Sequence, residues 1–521
     1  MAPAHENSAY ESSYSRPLGN APAGRRRGPA LPLALAGVVY ALVSLVNQYN
    51  FRTAALDLGL AAQVVGDWAH GRVAYAALLL DSPPTNFLSV HFSLTPVLAV
   101  PLYWLVGGAW ALLLMQLGAV LLGALGVWRY ARARGATGGE ARWALAFFCC
   151  QWGIFSALGF DYHDNVVGAM AVPWLALWAG QGRWGWAAAA ALFLLVSKEN
   201  MALWLVFVLL GLAWQHRHRR GAVAGLGLAA AGALGYFLLV THWVMPALDV
   251  AQRPFSQVVR YRQWGASVPG MAWNLLCHPQ LLAQALFCNT DPSGAYDYVK
   301  LELWGALLCS GALALRRQPW YALMLVPIVG QKLLANDPAL WGINQQYSIE
   351  FAPVLALALV DAVRRRPAGS ARRRGWRWAL AGAAGFTLVT LYARQSKWYD
   401  RATTNFLTGR HYRCPYDRAA LRAALARLPA RGPLSVQSNL VPQLPAPRRL
   451  YLFPVLRDAA GVVLLRHPDE AAGWPLRPEE SQKALAQLRA RPDFRVAYED
   501  AQLVVFARRG PVPDPAEVLH F

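Results

Sequence analysis

The chain has 521 residues, of which 56% are hydrophobic and only 15% charged, and its mean hydropathy is +0.26. Soluble domains carry about 25% charged residues, and here the apolar excess is gathered into blocks, so a wholly soluble protein is excluded. The net charge of +21 does not mark a nucleic-acid binder, because the arginines cluster between apolar runs, a pattern of membrane orientation.

Residues 1–30 are polar and rich in Ala, Pro, Ser and Arg, and are expected to form a disordered cytoplasmic N-terminus. Arg25, Arg26 and Arg27 precede the run 31–49, which is long enough to cross a bilayer. It is longer than a signal-peptide core and no small-residue cleavage site follows, so it reads as a signal anchor with its N-terminus inside. Residues 50–92 then carry Asp57, Asp67, His70, Asp81 and His91, whereas the neighbouring runs are almost uncharged. A stretch this polar must lie outside the hydrocarbon. A helix is predicted over 56–70. At 100° per residue it puts Asp57 on the side of Leu60, Val64 and Trp68, facing the membrane domain and not bulk water. The alternative is that Asp57 simply N-caps that helix.

Residues 94–106 are interrupted by Pro96 and Pro101 and are too short to span, so a juxtamembrane or re-entrant helix is expected. Spans are then predicted at 110–127, 143–160, 166–180, 184–197, 201–214, 222–244, 301–315, 320–334, 348–363 and 378–393, giving about 11 with the first. This parity puts 20 Arg and only two acids, Glu140 and Asp361, on the inside, and eight Lys/Arg with 12 acids on the outside. Asp57, His91, Asp161, His163, Asp164, Lys198, Glu199, Asp291, Asp337 and Asn344 then all fall on the outer face. Polar groups at the ends of apolar helices are costly unless solvated or paired, and they often mark a site. The six cysteines show no metal spacing. Cys149 and Cys150 sit in an apolar run and read as packing residues. Cys277 and Cys288 share the outer loop 246–300 and could pair in an oxidising compartment.

Residues 395–521 change character. Strands are predicted at 434–437, 449–453, 461–465, 494–498 and 503–507, alternating with helices at 417–428 and 478–489. This reads as a small extracytoplasmic α/β domain. Without a Gly-rich phosphate loop or a nucleophile elbow, it suits a lid or recognition module. The predicted fold is thus an all-α polytopic membrane domain over 31–394 with a C-terminal α/β domain.

Several short motifs occur in a fixed order: Phe51-Arg52-Thr53 to Asp57-Leu58-Gly59, His91-Phe92-Ser93 with Pro96 and Pro101-Leu102-Tyr103, Asp161-Tyr162-His163, and Lys198-Glu199-Asn200. Gln346-Tyr347, Val436 to Pro442 and Tyr451-Leu452-Phe453-Pro454 follow. In this order they resemble the bacterial family of predicted membrane proteins called domain of unknown function 2079, over roughly residues 31–508. The layout also resembles the fold-C (GT-C) glycosyltransferases, integral-membrane enzymes that take sugars from polyprenyl-phosphate carriers. That resemblance implies a catalytic acid in the first outer loop, and Asp57 is the matching position. Fold-C enzymes often pair two acids in this loop. Here the next acid is Asp67, so a divalent metal (Mg or Mn) would need Asp161, His163 or Asp164 as a further ligand.

Inverting glycosyl transfer needs a base for the acceptor's proton, and burial raises a carboxylate towards working pH, which suits Asp57. The departing polyprenyl phosphate needs positive charge from Lys, Arg, His or a metal. Lys198 is the first candidate and Arg52 the second, with His91 beside them. Glu199 would hold Lys198 in place, unless the two are only a neutral pair at a helix end. His163 would bind a metal, orient substrate, or serve as an ordinary interfacial histidine. The 22 Trp fit an aromatic belt as well as sugar stacking. The reading is a multi-pass inner-membrane glycosyltransferase whose partners are the bilayer, a polyprenyl-phosphate-linked sugar and an envelope acceptor. The alternatives are a transporter or flippase, or a non-catalytic envelope assembly protein. The lack of an internal repeat and the placing of charge at helix ends favour the enzyme.

Overall fold

Twenty residues from Ala30 to Tyr49 form the first helix, about 30 Å long at 1.5 Å per residue. It belongs to a computed structural model that describes residues 28–80, 82–253, 255–289, 296, 298–394, 401–429, 432–468, 470–510 and 518–519. The expected disordered segment up to residue 27, Asp81 and Asp291 lie outside the described residues.

Three described helices are long and apolar enough to cross a membrane: Ala30–Tyr49, Gly108–Ala133 and Arg220–Leu248. A fourth candidate is the pair Gly138–Cys149 and Trp152–Leu158, bent by 49°. Gln151 sits at that break and donates to Ala352 O. The remaining predicted spans are also helical. Trp184–Ser197, Glu199–Gln215, Val299–Cys309, Pro319–Leu333 and Phe351–Arg364 are short, and Ser370–Ala393 is long but opens on its arginines. The predicted span 348–363 starts late because 345–350 form a turn, with Gln345 in the left-handed region. Residues 95–106 form the expected short helical piece, packed beside the first loop.

The helices have two polar ends. On one helix Gln116 and Arg134 stand about 27 Å apart, and on another Glu199 and Gln215 about 24 Å apart, close to the hydrocarbon thickness of a bilayer. At the arginine end, Arg134 Nε donates to Asp361 Oδ1 at 2.6 Å. Tyr130, Tyr321 and Gln215 donate to Asp361 Oδ2 at 3.0–3.1 Å. Glu140 closes a capping box with Thr137 and meets Arg364 and Arg372. Both acids among the predicted inner segments are therefore ion-paired.

At the opposite end the first loop and the C-terminal sheet share one core. A short hairpin pairs β1 (Tyr75–Ala76) with β2 (Thr85–Asn86). The main sheet has β3 (Leu434–Val436), β4 (Leu450–Leu452), β5 (Gly461–Leu465), β6 (Phe494–Glu499) and β7 (Leu503–Arg508), in the order β4-β3-β5-β7-β6. β3 runs parallel to β4 and β5, and β7 antiparallel to β5 and β6. Side chains alternate along the strands. Val462, Leu464, Val504 and Phe506 face the helix Pro478–Ala490. Val463, Leu465, Leu503 and Val505 pack with Leu421 and Leu425 and with Phe51, Leu60 and Val64 of the first loop.

The first loop departs from expectation. The predicted single helix over 56–70 is a π-helical turn, Ala55–Gly59, followed by an α-helix, Leu60–Ala69. The N-cap is Ala54 with no side-chain cap, so Asp57 does not cap the helix. Leu60 and Val64 face the sheet, while Leu58, Ala61 and Val65 face Tyr162 and Leu112 of the helical bundle. Cys277 and Cys288 are exposed free thiols.

The two-ended layout predicts the orientation. In a cysteine-free background, Ala501→Cys in the exposed β6–β7 turn should react with an impermeant thiol reagent in cells with a permeabilised outer barrier. Ala368→Cys in the arginine block should react only after the membrane is lysed. The reverse pattern would invert the orientation.

Candidate active site

Three chain breaks converge at the end opposite the arginines. The first is the turn after Tyr49, where Phe51 adopts φ 58° and leads into the π-turn that bears Asp57. The second is the link between Trp152–Leu158 and the helix that starts at Asp164, where Asp161 adopts φ 55°. The third is Lys198, an extended residue (φ −165°, ψ 155°) between two helices. A buried amide fixes the second link. Gln116 Nε2 donates to Asp161 O, and His163 N donates to Gln116 Oε1, both at 2.8 Å. Asp161 Oδ2 then accepts Ala54 N at 2.8 Å, which ties the second link to the first.

The outcome is a contact between Asp57 and His163. His163 Nε2 lies 3.2 Å from Asp57 Oδ1. The approach is off-line for a hydrogen bond, and both ring nitrogens lack a hydrogen-bond partner among the described residues. His163 is 6% exposed and stacks on Phe160, with ring centres 5.3 Å apart. Asp57 keeps 35% of its side chain exposed, so it is the member of the pair that solutes can reach. Burial pushes its carboxyl up, but His163, and then Lys198 and His91, outweigh burial and leave it below the ordinary carboxylate range. Asp161 moves the other way. Burial drives its carboxyl well up, and the Asp57 charge adds to that, against the Ala54 amide. The two neighbouring acids are thus shifted in opposite directions.

The Lys198 side chain is half-buried and makes no hydrogen bond or ion pair among the described residues, although its charge acts on Asp57, Glu199 and Glu350. Glu199 does not clamp Lys198 as expected. It is 2% exposed and accepts Phe92 N at 3.1 Å, with His91 Nδ1 at 3.4 Å. An extended residue followed by a helix start points adjacent side chains apart. Burial raises the Glu199 carboxyl, and His91 and Lys198 more than reverse that. His91, 32% exposed, is thereby tied to Glu199.

Other expected residues have different duties. Arg52 donates to the carbonyls of His411 (2.6 Å), Arg410 (3.1 Å) and Arg413, so it is anchored to the segment before the sheet and not directed at a phosphate. Asp164 Oδ1 accepts Thr95 at 2.5 Å and Tyr162 at 2.8 Å. Asp337 caps the short helix Pro338–Trp341, and Asn344 accepts from Arg394. No three His, Cys, Asp or Glu side chains among the described residues converge as metal ligands. With Asp161 and Asp164 turned to Ala54 and Thr95, the expected metal set does not fit.

The sequence reading passed over several contributors. Glu350 accepts Asn165 Nδ2 at 2.8 Å, and Lys332 donates to Gly342 O at 2.8 Å and lies 5.9 Å from the Tyr347 ring centre. The Tyr347 hydroxyl is pushed up by burial and then by Asp57. Ser438 Oγ accepts Ala55 N at 3.2 Å at the start of the π-turn. Gln116 and Lys332 had a visible signal, since each is a polar residue inside an apolar run. Ser438 had none.

Two crystal structures of ArnT from Cupriavidus metallidurans are similar to this chain. The one bound to undecaprenyl phosphate has 14% identity and a TM-score of 0.48, covering 92% of this chain and 97% of that one. The apo state has 14% identity and a TM-score of 0.49, covering 92% and 98%. No curated protein matches the sequence. Residues 47–505, nearly the whole described length, match the family described as Predicted membrane protein (DUF2079), and the chain belongs to that family.

Proposed function

We propose that the protein is a membrane glycosyltransferase that moves a sugar from a polyprenyl-phosphate carrier to an acceptor at the outer face of the membrane. The observation that carries this reading is a reachable, ionised Asp57 beside the uncommitted ammonium of Lys198, at the ends of apolar helices. The reading includes about 11 spans in a GT-C-like arrangement, an inner N-terminus and an outer C-terminal domain.

In the proposed reaction the acceptor hydroxyl attacks the anomeric carbon as the bond to the carrier phosphate breaks. The proton passes to the Asp57 carboxylate, and the electron pair leaves on the polyprenyl phosphate. Lys198 and His91 stabilise that charge. Glu199 positions His91, and His163 positions Asp57 from behind. The low carboxyl value makes Asp57 a weak base at rest, so proton transfer runs late, once the acceptor oxygen has become acidic through bond formation.

Asp57→Asn keeps the shape but cannot take a proton. Transfer should fall about 10²–10⁴-fold with little change in Tm. Wild-type transfer in that variant would move the base elsewhere. Lys198→Ala removes no direct contact, so the fold should persist while carrier affinity drops. Unchanged affinity would remove Lys198 from the phosphate site. His163→Gln removes the main pull on Asp57, so burial prevails and the carboxyl rises. The rate, lost as pH falls through that value, should then be lost at a higher pH than in wild type. An unmoved acid limb would show that His163 does not tune Asp57.

A further inference from the structure

The segment after the last long helix carries a marked excess of positive charge. Residues 401–427 hold six arginines and one acid, Asp417. Arginine just beyond a span is normally sorted to the other side. This segment also stays beside the first helix. His411 Nε2 lies 2.8 Å from Leu42 O, and Leu42 precedes Tyr49 by about 10 Å along the helix. Phe406 stacks on Phe155 of the bundle, while Leu407 and Tyr412 are exposed. An exposed leucine and tyrosine beside the last two turns of a spanning helix match the depth at which hydrocarbon gives way to headgroups.

Here a groove of about 600 Å³ opens between Tyr49, Tyr412, Arg413, Tyr416, Arg418 and Arg422. The guanidinium groups of Arg418 and Arg422 each lie 4.6 Å from the Tyr49 ring centre. Arg418 is fixed by donation to Asn50 Oδ1 at 2.8 Å, and Arg422 by donation to Tyr49 O at 3.2 Å. The Arg413 side chain makes no hydrogen bond or ion pair among the described residues, and it is exposed. Asp417 also lines the groove, and its Oδ1 accepts the amides of Ala419 and Ala420. Arg418 and Arg422 over one ring, with Arg413 at the same groove, set three positive charges against the one carboxylate of Asp417 among the groove residues, a local field that an anion relieves. Guanidinium forks match phosphate oxygens two at a time.

We propose that this groove binds the phosphate of an anionic lipid headgroup in the leaflet at the Tyr49 end of the first helix. The site is separate from Asp57 and does not depend on the transfer reading. The full-length protein in phosphatidylcholine nanodiscs containing a photoactivatable phosphatidylglycerol is irradiated, and labelling of residues 403–427 is quantified by peptide mass spectrometry. Phosphatidylglycerol should label this segment at least tenfold more than the matching phosphatidylcholine probe. Each arginine removed should reduce labelling about fivefold. That gives about fivefold for Arg413→Gln, which breaks no contact, and over tenfold with Arg422→Gln added. Arg495→Gln on β6 and Asp57→Asn should label as wild type, which separates this result from any failure of the transfer reading. Equal labelling by the two lipids, or undiminished labelling in Arg413→Gln, would overturn the proposal. Loss of labelling in millimolar inorganic phosphate would assign the groove to a soluble phosphate and overturn the lipid source.

Discussion

One buried amide holds the candidate site together. Gln116 lies within an apolar helix, fully enclosed, where an unmade hydrogen bond costs about 1–3 kcal/mol. Both of its groups are satisfied by the backbone of a single neighbouring link, at Asp161 O and His163 N. That requirement fixes the link in a left-handed turn at Asp161. It sends the Asp161 side chain to Ala54 and the His163 ring towards Asp57. The position of the reachable carboxylate thus follows from an uncharged residue 59 positions further along the chain. A hydrophobic replacement at Gln116 would remove the reason for the link's shape without touching the acid.

The sorting of charge to two ends obeys the same economy. At the arginine end, acids and arginines neutralise one another: Asp361 takes Arg134, two tyrosines and a glutamine, and Glu140 takes Arg364 and Arg372. That network pairs both acids but engages three arginines among the described residues, so this end keeps a strong positive excess. At the opposite end, Glu199 is matched by His91 while Lys198 is left without a contact partner. Both acids of the arginine end are thus spent on arginines, whereas the opposite end keeps the Lys198 ammonium with no ion-pair partner among the described residues.

Much of this was legible in the sequence where periodicity and composition speak. The helix at 184–197 and the strand at 461–465 appear with their predicted bounds, because each is an unbroken apolar run between polar stops. The convergence of Asp57, His163, Lys198 and His91 at one end was readable from their placing at helix termini. What was not readable depends on register and on distant partners. The extra residue of the π-turn shifts the faces of the first-loop helix, so the expected alignment of Asp57 with Leu60 and Val64 fails. Such turns carry no compositional mark and often lie at functional sites. The adjacency of Lys198 and Glu199 suggested a pair, yet a change of backbone conformation between them separates their side chains. Arg52 looked available because it stands in the same outer loop as Asp57, yet its partners are carbonyls some 360 positions away.

The shared core of first loop and terminal sheet has a consequence for how the molecule is made. Ala55, which opens the acid-bearing turn, is held by Ser438, and Gly59, which closes it, lies so near Val441 that an added methyl would meet it at 2.7 Å. A ribosome produces the acid-bearing turn 383 residues before the clamp at Ser438. During the long interval the membrane helices can insert and pack, but the turn lacks the surface against which it is shaped. Competence therefore arrives last and all at once, and a prematurely terminated chain retains the acid without the geometry.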